Sequence, residues 1–182
     1  MIYEEKRFLL RDGRVCALRT PEESEAETLL SFIRTACRET DYLIYTPKEA
    51  ESLTLESEKG WLSSERTEEK VCLISAYVEG EHAGNADISA GGLEKFSSYG
   101  VMGIALLEKF WGLGIGRLLF SELERIAVEW GLTSLRLDHF AGNVRAHSFY
   151  EKMGFVQCGV YHRGVKRSDG TFDDVILMEK RL

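Results

Sequence analysis

Apolar positions along the chain switch between the alternation of strands and the three-to-four spacing of helices. Arg7-Phe8-Leu9-Leu10-Arg11 and Arg14-Val15-Cys16-Ala17-Leu18-Arg19 flank Asp12-Gly13, a strong short hairpin signal, so two N-terminal strands are predicted. Thr20-Pro21-Glu22-Glu23 offers a cap residue, a proline at the first helical position and early acids, which predicts a helix to about Cys37. Leu29, Leu30, Phe32, Ile33 and Ala36 form its apolar face. A connection over Thr40 to Pro47 leads to a Glu-rich helical region from about Pro47 to Ser64, interrupted at Gly60, whose charges read as a solvated face. Val71 to Val78 and His82 to Ala90 read as strands joined by Glu79-Gly80-Glu81. Gly91 to Ser98 is a loop, and Tyr99 to Leu107 is a further strand.

The best-defined helix comes next. Ile115, Leu118, Leu119, Leu123, Ile126, Ala127 and Trp130 fall at helical spacing, with Glu122 the one interruption of the stripe, and Gly131 supplies a stop. At 1.5 Å per residue, about 17 residues span roughly 25 Å, enough to anchor one side of a small domain. Leu135 to Phe140 is another strand. Asn143 caps a short helix with Ala146, Phe149, Tyr150 and Met153 on its buried stripe, and Gly154 ends it. Phe155 to Arg163 and Phe172 to Glu179 close the chain as a hairpin across Ser168-Asp169-Gly170. Strands precede, interleave with and follow helices, which predicts an α/β protein of the α+β type with a central mixed sheet. At 182 residues, a single domain spanning 1–182 is expected.

Composition narrows the classes. No run approaches the roughly 18 apolar residues of a membrane span, and Met1-Ile2-Tyr3-Glu4-Glu5-Lys6 is too charged for a secretory signal, so a cytoplasmic location is expected. A formal charge of −7 disfavours nucleic acid and leaves room for a cationic substrate. Cys16, Cys37, Cys72 and Cys158 lack bridge or ligand spacing, so all four are expected to be small buried hydrophobes and no metal is expected.

The candidate chemistry lies in Trp111-Gly112-Leu113-Gly114-Ile115-Gly116-Arg117, between a strand and the long helix. Glycines at 112, 114 and 116 remove side chains where a ligand can approach the backbone, and the first N–H groups of a helix suit a phosphate or pyrophosphate. A dinucleotide-binding G-x-G-x-x-G would need glycine where Arg117 stands, and no G-x-x-x-x-G-K-[S/T] occurs. The turn also follows the fifth predicted strand rather than the first, unlike a doubly wound dinucleotide fold.

Two segments together resemble the GNAT superfamily of acyl-CoA-dependent N-acetyltransferases. Trp111-Gly112-Leu113-Gly114-Ile115-Gly116 is similar to the family's pyrophosphate loop, [Q/R]-x-x-G-x-[G/A], with Trp in place of Gln or Arg at its head. Asn143-Val144-Arg145-Ala146-His147-Ser148-Phe149-Tyr150-Glu151-Lys152-Met153-Gly154-Phe155 is similar to the family's N-x-x-A-x-x-x-Y-x-K-x-G-F segment. The resemblance is strong from about Val71 to Leu182 and weaker before it. It implies a mostly antiparallel sheet flanked by helices, acetyl-CoA as cosubstrate and an amine as acceptor. It further implies that Leu113 to Arg117 donate N–H groups to the pyrophosphate, and that Ile104, Ala105 and Leu106 run beside the pantetheine. One N–H of that strand would stabilise the thioester oxyanion. Asn143 would contact the pantetheine or cap its helix, next to Ala146. Tyr150 would protonate the leaving thiolate. Its other reading is an aromatic on a core stripe with a satisfied hydroxyl.

The strand before the loop carries no carboxylate to serve as base, unlike some family members. Asp87, Asp138 and His139 on neighbouring strands are the candidates, each also explicable as structural, and a water chain or free amine would need none of them. Three functions are open: acetylation of a small-molecule primary amine, acetylation of a protein N-terminus or lysine, and acyl-CoA sensing without turnover. The expected partners are coenzyme A and an amine, without nucleic acid or membrane, and a homodimer stays open. The two helical regions before Val71 can wall a substrate pocket, though no motif there names the acceptor.

Overall fold

A computed structural model describes residues 1–167 and 169–182. Its elements are β1 Lys6–Leu9, β2 Val15–Arg19, α1 Ala26–Glu39, α2 Pro47–Ser52, α3 Leu55–Thr67, β3 Val71–Val78 and β4 Glu81–Ala90. β5 Tyr99–Leu106, α4 Ile115–Glu129, β6 Ser134–Phe140, α5 Val144–Lys152, β7 Val156–Lys166 and β8 Phe172–Arg181 follow. The strands form one eight-stranded sheet in the order β1-β2-β3-β4-β5-β6-β8-β7. Every pairing is antiparallel except β5 with β6. A parallel pair needs a crossover, and α4 supplies it.

Helices cover both faces. Cys72, Ile74, Ala86, Ile88, Met102 and Leu135 of the sheet pack with Leu119, Phe120, Leu123 and Ile126 of α4 in one cluster. Leu73, alternating with Cys72 and Ile74, points the other way and packs with Ala26 and Leu29 of α1 and Leu62 of α3. β3 is therefore buried on both sides, which is why Val71 to Val78 reads as an apolar run broken only by Ser75. No helix among the described residues is long and apolar enough to cross a membrane.

Local capping set most boundaries. α4 and α5 end in the same way: Leu132 N donates to Ala127 O and Gly131 N to Val128 O, as Phe155 N does to Tyr150 O and Gly154 N to Glu151 O. Both are Schellman motifs with glycine at positive φ. Glu79 and Gly80 both take positive φ, a two-residue turn joining β3 to β4.

Three expectations are corrected. Thr20 does not cap α1: its hydroxyl accepts from Tyr3 N at 2.8 Å and donates to Leu73 O at 3.1 Å, fastening the sheet. Glu25 pairs with Arg19 at 2.6 Å and accepts from Glu22 N, which holds a short 3₁₀ turn, so α1 begins only at Ala26. The second helical region breaks at Leu53 and Thr54, not at Gly60, because Thr46 caps α2 and Thr54 caps α3 through the N–H groups of Glu49 and Ser57. Gly60 sits inside α3.

The third correction is Cys158, which is exposed while the other three cysteines are buried. β7 is an edge strand, and a register shift between Gln157 and Gly159 leaves Cys158 as its bulged residue. Burial pushes the Cys16 and Cys72 thiols up to about 11, where the reactive thiolate is scarce at neutral pH. One thiol should therefore react with a chromogenic disulfide in the native protein and four after unfolding, with fast native labelling of a second thiol contradicting this burial pattern. The closing turn predicted at Ser168-Asp169-Gly170 lies partly outside the described residues at Ser168; Asp169 accepts from Thr171 N at 2.8 Å.

Candidate active site

β5 and β6 are paired only where Tyr99, Gly100 and Val101 face Ser134, Leu135 and Arg136. Beyond Val101 the two strands part, while β5 stays paired with β4 as far as Leu106. Leu107 N donates to Ala83 O on the β4 side. By strand alternation, the N–H groups of Ile104 and Leu106 face the gap and that of Ala105 faces β4. Half of the distal β5 backbone thus faces an opening that no strand fills.

The opening widens into a cleft of about 1300 Å³. That exceeds the roughly 300–1,000 Å³ of a pocket for one drug-sized ligand, so two substrates fit together. Ile104, Ala105, Leu106, Trp111, Gly112, Gly114, Ile115, Gly116, Arg117, Asn143, Ala146 and Tyr150 all line it. Leu113 is the exception: its side chain packs on the core.

The loop between β5 and α4 forms one end. Gly112 and Gly114 adopt φ of +79° and +94°, and a Cβ on either would meet nothing within 4 Å. Their lack of a side chain therefore serves the backbone conformation and keeps the approach open. Gly114 is the N-cap of α4, no side chain caps this end, and no acid stands in the first turn. The leading N–H groups of α4 are left for a ligand. Arg117, Arg145 and Lys152 line the same cleft and add positive charge.

Trp111 is accounted for by two contacts. Its indole Nε1 donates to Leu106 O at 2.9 Å, tying the loop to the last residue of β5, and the Arg145 guanidinium stacks 3.7 Å from its ring centroid. The single N–H is consumed within the chain, so Trp111 has no donor for a ligand. Arg145, two residues into α5, was not singled out from the sequence; only its position within the Asn143 to Phe155 segment signalled it.

α5 forms the wall opposite β5. Asn143 Oδ1 accepts from Ala146 N at 3.1 Å, which is a helix cap. Tyr150 is almost fully buried, its ring against Phe120, Phe149, Phe155 and His139, and the Schellman motif holds its carbonyl. Among the described residues its hydroxyl has no hydrogen-bond partner, unlike a core tyrosine tied to a polar neighbour. Burial, followed by the charge of Asp138, pushes its phenol up to about 12, so it keeps its proton at neutral pH. His139 donates from Nδ1 to Phe140 O at 2.9 Å, which leaves Nε2 to accept from His147 Nδ1 at 3.1 Å. Burial lowers its pKa and both ring nitrogens are engaged, so it is poorly placed to take a proton.

The far end is walled by the helices before β3. Phe32, Ile33 and Ala36 of α1, Tyr42 and Tyr45, and Glu58 and Trp61 of α3 complete the cleft. The sequence supplied these helices and no signal of which side chains face the cleft. Asp87 enters from β4, opposite Gly103 of β5; a Cβ on Gly103 would lie 2.9 Å from Asp87 Oδ1. The carboxylate thus occupies space that glycine leaves open. Burial raises the Asp87 and Glu58 carboxyls above the usual carboxylate range. No group of three or more His, Cys, Asp or Glu among the described residues is placed to hold a metal ion.

Residues 32–155 match the family model described as the acetyltransferase (GNAT) family. An acetyltransferase of the GNAT family from Streptococcus pneumoniae is 28% identical and aligns over 92% of this chain and 99% of its own with a TM-score of 0.84. The ribosomal-protein-alanine N-acetyltransferase of Brucella melitensis is 25% identical over 91% of this chain and 99% of its own, TM-score 0.78. At 14% identity, yncA from Salmonella typhimurium, solved with its cofactor acetyl-CoA, shares the fold over 92% of this chain and 94% of its own, TM-score 0.79. No curated protein matches the chain.

Proposed function

The chain belongs to the GNAT acetyltransferase family, and from that premise we propose that it acts as one domain, residues 1–182, transferring an acetyl group from acetyl-CoA to a primary amine on a small molecule. The observation that carries this reading is the continuous cleft from the N-terminus of α4, along the unpaired side of β5, to the space walled by α1 and α3. Its basic end and free N–H groups suit a pyrophosphate, its middle offers strand donors to a thioester, and its acidic, aromatic end suits an amine.

In this reading the N–H groups at the start of α4 hold the pyrophosphate while Arg117 and Arg145 add charge. The N–H of Ile104 or Leu106 takes the thioester carbonyl and stabilises the oxyanion as the amine attacks. Tyr150, protonated and without an internal partner, gives its proton to the leaving thiolate. Acceptance of an amine from a small molecule is supported by the enclosing walls of Phe32, Tyr45 and Trp61. Release of free thiol from acetyl-CoA across a panel of small primary amines tests the reading, and activity confined to peptide N-termini would move the acceptor to proteins, as the name of the Brucella melitensis relative does for that enzyme. Binding without thiol release on either panel would leave an acyl-CoA sensor.

A further inference from the structure

A polar cluster joins β3 to β4 beneath α1. Ser75 and Asn85 are cross-strand partners. Because each alternates with residues of the α4-side core, Ile74, Ala76 and Ala86, both side chains point towards α1 and α3. Asn85 Oδ1 lies 2.7 Å from Ser75 Oγ and 2.8 Å from Nε2 of His82, at the start of β4. Phe32 of α1 packs edge-on against the His82 ring, centroid to centroid 4.9 Å. Ser75 and His82 are buried, whereas Asn85 is half-buried and lines the cleft.

These contacts fix which way the amide faces. Burial lowers the pKa of His82, so at neutral pH its ring is uncharged and carries one proton. Nδ1 is buried without a partner, and a proton there would be a buried N–H with no acceptor. The proton therefore sits on Nε2 and is donated to Asn85 Oδ1, as is that of the Ser75 hydroxyl. Both lone pairs of Oδ1 are thus occupied from within the sheet. The NH2 group, on the other arm of the planar amide, turns away from Ser75 towards the cleft. Among the described residues that nitrogen has no hydrogen-bond partner.

We propose that Asn85 is a specificity-determining residue, whose NH2 group donates to an uncharged oxygen of the acceptor close to the reacting amine. The proposal rests on the acetyl-transfer reading and adds a substrate class: a primary amine with a hydroxyl or other neutral oxygen within a few bonds of nitrogen. Asn85 is the cross-strand partner of Ala105, between Ile104 and Leu106, so an oxygen held there brings its amine beside the N–H groups assigned to the thioester. A charged oxygen is disfavoured, because Asp87, two residues along the same face, and Glu58 of α3 put carboxyls on the same cleft. Ser75 and His82 are positioning residues, since without their protons the amide can turn over and present oxygen instead. An acceptor lacking the oxygen leaves the Asn85 donors unpaired, which is the source of discrimination.

Phenethylamine, phenylalaninol and phenylalanine carry no oxygen, a neutral one and a charged one on a common body. The wild type should acetylate phenylalaninol with a kcat/KM at least about tenfold above that of phenethylamine, and phenylalanine least well. The methyl ether of phenylalaninol accepts but cannot donate, and it should keep the preference because the donor is on the protein. Asn85→Leu should remove the preference and Ser75→Ala should narrow it to a few-fold. The ratio of two substrates is read on one preparation, so a stability loss alone does not move it. Equal kcat/KM for phenethylamine and phenylalaninol in the wild type, a preference for phenylalanine, or an unchanged ratio in Asn85→Leu overturns the proposal. Should Asn85→Leu fail to fold, an unchanged ratio in Ser75→Ala or loss of the preference with the methyl ether overturns it. Where none of these amines is acetylated, the acetyl-transfer reading fails, and calorimetry with coenzyme A present decides separately. Phenylalaninol should then bind at least about tenfold tighter than phenethylamine, and equal affinities overturn the proposal.

Discussion

Tyr150→Phe is expected to lower kcat by about 10²-fold or more while acetyl-CoA affinity and melting temperature stay near wild type. The range is that of a positioned general acid. The loss belongs in kcat rather than KM, because the proton moves only in the transition state. Affinity is kept because the ring contacts with Phe120, Phe149 and Phe155 survive in phenylalanine. Stability is kept for a reason the structure supplies: the hydroxyl has no partner among the described residues, so the roughly 1 kcal/mol of a broken hydrogen bond does not arise. A structural tyrosine gives the opposite outcome, a lower melting temperature with unchanged turnover. Measuring both on one preparation separates them, and a stable variant with wild-type kcat removes Tyr150 from the chemistry. With the phenol pushed up to about 12, the acid form persists across neutral pH, so no loss of activity between pH 7 and 9 should trace to this group.

Replacing Gly114 should abolish acetyl-CoA binding, and the choice of replacement decides whether the result can be read. At φ +94°, a β-branched residue such as valine adds backbone strain to bulk and confounds folding with ligand loss. Asparagine tolerates positive φ far better, and its side chain would extend into open space on the cleft side. Gly114→Asn should therefore remain folded, with a melting temperature a few degrees from wild type, yet lose at least tenfold in acetyl-CoA affinity by calorimetry. Wild-type affinity in that variant would place the pyrophosphate elsewhere.

Patterns confined to one element were legible in the sequence. The stripe from Ile115 to Ala127 located α4, and the Gly-Phe pair at Gly154-Phe155 marked the C-terminus of α5, since a Schellman motif needs a glycine followed by an apolar residue. Thr20 misled because a cap residue and a strand-fastening hydroxyl look alike until Tyr3 and Leu73 come within reach. Gly60 misled because a single glycine inside a helix costs only about 1 kcal/mol, too little to end α3, which runs through it from Leu55 to Thr67. Cys158 depended on an edge position and a bulge that sequence spacing does not encode. At the site, the glycines and Tyr150 were visible as motifs, whereas the opposition of Asp87 and Gly103 is a matter of register and the stacking of Arg145 on Trp111 joins separate elements.

The parting of β5 from β6 has a mechanical meaning. The sheet is two panels, β1 to β5 and β6 to β8, stitched along one short edge where Tyr99, Gly100 and Val101 meet β6. Thr133, whose N and hydroxyl both donate to Ser98 O, reinforces that edge, and α4 bridges the panels across one face. An elongated ligand accepting hydrogen bonds from Ile104 and Leu106 would act as a non-peptide strand in the seam, coupling the panels where the chain leaves them free. The rigidity of this protein would then be set partly by occupancy, with the apo chain free to breathe along the seam and the loaded chain moving as a single plate.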